Sequence, residues 1–251
     1  MKFLTAKWEH LLLANYSVDA SLLEPYVPLG TRLDRFEGHI FVSLVAFMFN
    51  RTKVMGIPAF FHRDFEEVNL RFYVTPEKDE SIRAVTFIQE IVPKRIIPLV
   101  SNSLFNENYV AVPMRHHNGV SEHWYAWKSH SRVEVNASHS VGEFDGLPDR
   151  SQHEIFAAAV EEPLELPAPG SISEFITEHY WGYAKGKSST LEYKVEHPQW
   201  ICAPVNRYMI DVDFAAVYGS SFAVLNDLTP YNVLYARGSD VSVSFPSRYR
   251  V

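Results

Sequence analysis

The eight residues EVNLRFYV, at 67 to 74, constrain this chain more than any other stretch. Glu67, Asn69, Arg71 and Tyr73 alternate with Val68, Leu70, Phe72 and Val74. A period of two marks a β-strand, whose successive side chains point to opposite faces. One face of this strand is apolar. The other gathers Glu, Asn, Arg and Tyr, which leaves two readings: a face turned to water, or the lining of a polar interior.

Further strands are expected at 7–16, 39–49, 82–92, 107–115, 121–136, 190–197, 205–213, 232–237 and 240–246. These stretches are rich in Val, Ile, Phe, Tyr and Thr and are separated by Gly, Pro, Asn or Asp. An aromatic strand also precedes GYAKGKSS. Helices are fewer. VDASLLEPYVP follows an Asp19 cap, PKRIIPLVSNSLFN carries Pro98 as a break or kink, and SISEFITEHYWG opens on a Ser171-x-x-Glu174 capping box. DFAAVYGSSFAVL has helical spacing interrupted at Gly219. EEPLELPAPGS at 161–171 reads as an internal linker, yet strands lie on both sides of it. The expectation is therefore a mainly β (α+β) chain with one closed or nearly closed sheet, a single domain over 1–251.

Composition narrows the function. The 14% aromatic content suits strands and aromatic-walled cavities. A net charge of −7, with no run of Lys and Arg, argues against nucleic acid as a partner. The most apolar run, IFVSLVAFMF at 40–49, is too short to span a bilayer, and Lys7, Glu9 and His10 interrupt any N-terminal signal-like region. Cys202 is the one cysteine, so no internal disulfide forms, and a small buried hydrophobe in a reducing compartment is the plain reading. A cytoplasmic protein is expected, with no membrane partner; a homo-oligomer stays open.

Three motif readings fail on spacing. GYAKGKSS has too few residues between its glycines for a phosphate loop and reads as a polar turn. YGSSF is not a nucleophile elbow. Eleven histidines include no His-Glu-x-x-His; His116 and His117 would face opposite ways on a strand, and His123 and His130 have no cysteine partners, so no metal is expected.

Five blocks in order, FLTAKWEHLLLANYSV, FHRDFEEVNLRFYV, FIQEIVP, NENYVAVPMRH and FITEHYWGYAK…LEYKVEHPQW, resemble the YqjF-like proteins over nearly the whole chain. That family of unknown function is similar in fold to acetoacetate decarboxylases. The resemblance implies an antiparallel, cone-like β-barrel with a few peripheral helices and a polar, partly apolar-walled cavity. Acetoacetate decarboxylases carry a helix, then a strand ending in Phe-Pro-Lys-Lys, one lysine of which forms a Schiff base. Here the corresponding strand ends Val112-Pro113-Met114-Arg115. Methionine has no amine, and a guanidinium stays protonated. VPKR at 92–95, with Lys94 as the nucleophile, is a rival alignment, but it precedes the helix. The decarboxylases' glutamate matches Glu67 or Glu66, and Glu67 shares a face with Asn69 and Arg71.

The expected site gathers Glu67 and Glu107 as acid–base groups. Asn69, Arg71, Tyr109, Met114, Arg115 and His197 are its ligand contacts, with Arg71 and Arg115 as an anion clamp. Mutual pairing of these charged groups across neighbouring strands is the alternative. The expected function is binding of a small anionic or carbonyl-bearing metabolite without a cofactor and without Schiff-base decarboxylation. A lyase or hydrolase using Glu and Arg on a small organic acid is the second reading.

Overall fold

The computed structural model describes residues 1–129, 139–186 and 189–250. Along the chain run β1 (Lys2–Val18), helix α1 (Ala20–Leu23), β2 (Thr31–Leu33), β3 (Ile40–Val54), β4 (Ile57–Pro58), β5 (Phe65–Pro76) and β6 (Ala84–Val92). Helix α2 (Ile96–Phe105) is followed by β7 (Tyr109–Ala111), β8 (Met114–Asn118), β9 (Glu122–Lys128), β10 (His139–Val141) and β11 (His153–Ala159). Helix α3 (Ile172–Thr177) leads into β12 (Trp181–Lys185), β13 (Thr190–Glu196), β14 (Cys202–Pro204) and β15 (Arg207–Asp211). Helix α4 (Phe214–Tyr218), β16 (Asn232–Ser244) and β17 (Ser247–Tyr249) complete these elements. The protein is mainly β with a few helices.

Two sheets form. In the larger, the path runs β14-β16-β1-β3-β5-β6-β12-β13-β17, and β13 also pairs with β16 through Val195↔Val243 and Glu196↔Ser242. The path from β16 through β1, β3, β5, β6, β12 and β13 thus returns to β16. The smaller sheet has the order β10-β15-β11-β9-β8.

Alternation sorts the side chains of the larger sheet into two cores. On β3, Ile40, Val42, Leu44, Ala46 and Met48 pack with Tyr125, Trp127, Phe156 and Ile210 of the smaller sheet. The intervening Phe41, Val45, Phe47 and Phe49 pack on the opposite side, with Phe175, Trp200 and Leu234. Both faces are covered, which is why 40–49 reads as one apolar run. On β5 the even row, Val68, Leu70, Phe72 and Val74, joins the first core. The row of Glu67, Asn69, Arg71 and Tyr73 is buried on the other face. Water is not what that row meets.

The helices sit where their caps place them. Asp19 Oδ1 accepts from Ser21 N at 2.9 Å, and Ser171 Oγ accepts from Glu174 N at 3.2 Å. Helix α2 runs unbroken through Pro98, which falls in its first turn, where a backbone N–H has no intrahelical acceptor. Gly219 separates α4 from a 3₁₀ turn at 220–226, as its interrupted spacing suggested.

Several strand boundaries differ from expectation. The strand expected at 107–115 breaks at Pro113, and its two parts lie in different sheets. Those expected at 232–237 and 240–246 are one strand, β16, continuous through Gly238. HEIFAAA, β11, was not anticipated. The expected strand 121–136 is seen as β9; residues 130–136, with His130, and Lys187 and Ser188 of GYAKGKSS, lie outside the described residues. Among the described residues no helix is long and apolar enough to cross a membrane.

Candidate functional site

Strand register assembles the site. Asn69 on β5 is paired with Glu90 on β6, and Glu90 with Tyr109 on β7. Paired residues on neighbouring strands point to the same face. Asn69, Glu90 and Tyr109 therefore form a polar row across three strands. Two residues along β5 from Asn69 lie Glu67 and Arg71, and two residues before Tyr109 lies Glu107. All six line one cavity of about 100 Å³, measured as space open to the centres of water-sized spheres. That is several times the ~10–15 Å³ one water needs.

The phase on β6 depends on a register shift between Leu70 and Arg71 of β5. Gln89 opposes Leu70, Phe87 opposes Arg71, and Ile88 is the extra residue. The bulge puts Glu90, Phe87 and Val85 on the cavity side. Helix α2 contributes Ser101 and Phe105 to the lining, and the chain leaving α3 contributes Thr177 and His179. The capping box thus sets where His179 enters.

Hydrogen bonds tie the carboxyls to their neighbours. Asn69 Nδ2 donates to Glu67 Oε1 at 3.0 Å, and the Tyr109 hydroxyl donates to Glu67 Oε2 at 3.2 Å. The Tyr193 hydroxyl donates to Glu107 Oε1 at 2.7 Å. Burial dominates the acidities. It pushes Glu67 up to about 7, opposed by the Asn69 and Tyr109 bonds and by Arg71. It pushes Glu107 up to about 8, opposed by Tyr193. Glu90 lies well above the ordinary carboxylate range, first through burial and then through the charges of Glu107 and Glu67. Burial, reinforced by Arg71 and Arg83, holds His179 well below the ordinary histidine value, so its ring is neutral at pH 7.

Arg71 is 7% exposed. Its Nη2 donates to the Ile176 carbonyl at a long 3.4 Å, and its buried Nε has no protein acceptor. Among the described residues no carboxylate lies within 4.0 Å of its guanidinium. Asn69 Oδ1 and Glu90 Oε2 are likewise buried without a partner. The cavity therefore combines one under-bonded cation with carboxyls that burial biases towards the neutral, hydrogen-bond-donating form.

Of the residues expected at the site, Glu67, Glu107, Asn69, Arg71, Tyr109 and His197 line this cavity. His197 stacks on Trp200 with ring centroids 4.1 Å apart, and its Nδ1 lies 2.9 Å from the Pro198 carbonyl. Met114 and Arg115 are placed elsewhere. Val112 N still bonds Val92 O, but Pro113 has no N–H to continue the ladder, and its carbonyl accepts from Lys128 N. The chain passes to the smaller sheet there, leaving Met114 against the first core and Arg115 exposed. Glu66 faces away from Glu67 and meets His116 Nδ1 at 2.7 Å. Among the described residues no lysine, Lys94 included, lines the cavity, and no group of three or more His, Cys, Asp or Glu side chains is arranged to hold a metal. Glu90, Tyr193 and His179 were not anticipated; the signal for Glu90 was a lone carboxyl inside the apolar run FIQEIV.

The fold is similar to that of acetoacetate decarboxylase and related enzymes. The crystal structure of acetoacetate decarboxylase from Legionella pneumophila superposes with a TM-score of 0.63 at 8% identity, over 98% of this chain and 87% of that one. The enduracididine biosynthesis enzyme MppR complexed with pyruvate gives 0.64 at 8% identity, over 99% and 91%. An acetoacetate decarboxylase-like enzyme from Sphingomonas wittichii RW1 gives 0.59 at 10% identity, over 100% and 94%. At such identities the likeness is one of fold. The chain itself belongs to the DUF2071 family, described as "Uncharacterized conserved protein (COG2071)", whose model matches residues 5–240. It is also 36% identical over 69 residues to the "Uncharacterized protein YqjF" of Bacillus subtilis (strain 168). That match spans 27% of this chain and 28% of the relative.

Proposed function

We propose that this protein binds a small anionic or carbonyl-bearing organic molecule in the cavity, with Arg71 as the anion anchor and without Schiff-base chemistry. The observation that carries this reading is Arg71 itself, buried with a single long hydrogen bond, its guanidinium 5.9 Å from the Tyr73 ring centroid, and no carboxylate within 4.0 Å among the described residues. An uncompensated buried charge costs several kcal/mol. A site that keeps one is best understood as built for a counter-charge that the ligand brings. Protonated Glu90 and Glu107 suit a carbonyl oxygen as hydrogen-bond donors. A cavity lined without lysine among the described residues supports the absence of a Schiff base, because the reaction needs a free amine.

The ring of pairings closed by β13 and β16 supports a cone-like barrel with the cavity as its interior. The buried, unpaired Cys202 fits a reducing, cytoplasmic setting. A second reading has one support of its own. Glu67 and Glu107 have acidities raised towards neutrality in an apolar-walled cavity, as suits acid–base catalysis on a small organic acid.

The test is a thermal-shift screen of small carboxylates alongside their neutral amides. Carboxylates should stabilise the protein, the amides should not, and Arg71→Met should abolish the shift. Borohydride with acetoacetate should leave no reduced adduct. Equal shifts from the amides, or a reduced adduct on any lysine, would overturn the reading.

A further inference from the structure

We infer that the preferred ligand is a carboxylate with a flat aromatic body, its anionic end on Arg71 and its ring against Trp8, Phe47, Phe49 and Phe87. The inference rests on the anion reading above and adds what the rest of the cavity selects.

The lining has two unlike ends. Its carboxyls and Arg71 come from β5, β6 and the approach to β7. From β1 and β3 come apolar groups, Phe3, Leu4, Trp8, Leu11, Phe47 and Phe49, with Trp8 directly paired with Phe49. The boundary falls between adjacent strands, because Phe47 on β3 is paired with Glu67 on β5. Trp8 gathers the wall: its ring lies 5.1 Å from Phe47, 5.6 Å from Phe49 and 6.1 Å from Trp200, centroid to centroid. Phe47 and Phe49 are themselves 5.2 Å apart. Phe87 reaches the same space from β6, directly paired with Arg71 on β5. Trp8 and Phe87 are only half-buried, so part of each ring remains uncovered by protein.

A compact hydrophilic acid would satisfy Arg71 and leave this aromatic surface bare. A flat ring attached to the acid covers it, with the edge-to-face and offset geometries that aromatic groups favour. Burial biases the carboxyls beside Arg71 towards the neutral form, which lessens their repulsion of the anionic end and lets them donate to a carbonyl next to it. Ring burial is worth roughly 10- to 100-fold in affinity over the same acid without its ring.

The experiment is isothermal titration of the full chain with phenylacetate, hexanoate, acetate and phenylacetamide, extended to a panel of aryl carboxylates. Phenylacetate should bind roughly 10- to 100-fold tighter than acetate, and more tightly than hexanoate, which is apolar but not flat. Phe87→Leu should weaken phenylacetate several-fold more than it weakens acetate, whereas Arg71→Met should abolish both. If acetate or hexanoate matches phenylacetate, the aromatic inference falls while the anion reading stands. If phenylacetamide matches phenylacetate, the anion reading falls instead. Failure of every aryl carboxylate up to its solubility limit overturns the inference.

Discussion

The Tyr193 hydroxyl donates to Glu107 Oε1 at 2.7 Å, joining β13 to the residue two positions ahead of β7. This bond favours the ionised carboxyl and offsets part of what burial does to it. Tyr193→Phe keeps the ring and removes the donor. Glu107 should then titrate above its present value of about 8. Carbon-13 NMR of the glutamate carboxyls, with the Glu107→Gln spectrum as assignment, reads this directly. A titration that stays put or moves down would show that the bond does not set the acidity.

Tyr193 keeps its place because its partner on β12 is a glycine. Gly182 is paired with Tyr193, and a Cβ added there would lie 2.2 Å from the phenol ring. Gly182→Ala must push the ring away, and overpacking of this kind costs about 1–3 kcal/mol. The expected result is a lower denaturation midpoint together with a further rise in the Glu107 titration. Loss of stability without the second effect would mean that the ring re-seats with its hydroxyl bond intact.

Burial raises Glu67, Glu90 and Glu107 above 4.5 in the folded chain. Above pH 4.5 they still hold protons that the unfolded chain has released. Stability therefore falls as pH rises, until the folded groups ionise at about 7 for Glu67 and about 8 for Glu107. Buried histidines act in the opposite sense. Burial lowers His123 to about 4 and takes His179 well below 6.5, so their contribution is lost as pH falls below 6.5. The histidine effect fades within about one pH unit above 6.5, and beyond about pH 7.5 the carboxyl effect dominates. Urea unfolding should show a loss on the order of 1–3 kcal/mol between about pH 7.5 and about pH 9, which Glu107→Gln reduces. A stability that is flat or rising over this interval contradicts the protonated cluster.

Gly238 carries β16 past β1 at a φ of +80°, and a Cβ there would lie 2.0 Å from the Trp8 carbonyl oxygen. Both the conformation and the contact exclude a side chain. Gly238→Ala should cost about 2 kcal/mol or more in unfolding experiments, well beyond an ordinary surface substitution. It should also weaken any ligand that rests on Trp8. A near-neutral variant would mean that β1 and β16 tolerate separation at this point.

What the sequence disclosed follows the same physics. Alternation over 67–74 is local and survives into the structure, with Glu67, Asn69 and Arg71 on one cavity. Whether that row met water was not local. It was decided by what lies over the odd row: the larger sheet closing through β13 and β16, and the chain at Thr177 and His179. Glu90 was hidden because strict alternation groups it with Ile88, and the bulge at Ile88 groups it with Phe87 instead. HEIFAAA lacks the β-branched density of its neighbours and becomes a strand through its pairing with β9 and β15. Gly238 looked like a strand end, because a glycine that permits close approach and one that ends a strand are the same letter. Pro113 lay inside the expected strand 107–115, and it marks where the chain changes sheets.

Arg71 and Arg115 were expected to clamp one anion, and the structure separates them. Arg71 is buried on β5 in the cavity wall, while Arg115 is exposed on β8, paired in register with Ala126. Substitution of an exposed side chain without a buried partner changes stability by about 0.5 kcal/mol or less. Arg115→Ala should therefore unfold like the parent and bind carboxylates with unchanged affinity. Arg71→Met should lose the ligand by roughly 10-fold or more, since a charge-assisted hydrogen bond is worth about 1.5–3 kcal/mol. Titration of both variants with the same carboxylate decides between them. If Arg115→Ala is the variant that loses binding, the anion sits at the Pro113 crossover and not in the cavity wall of β5.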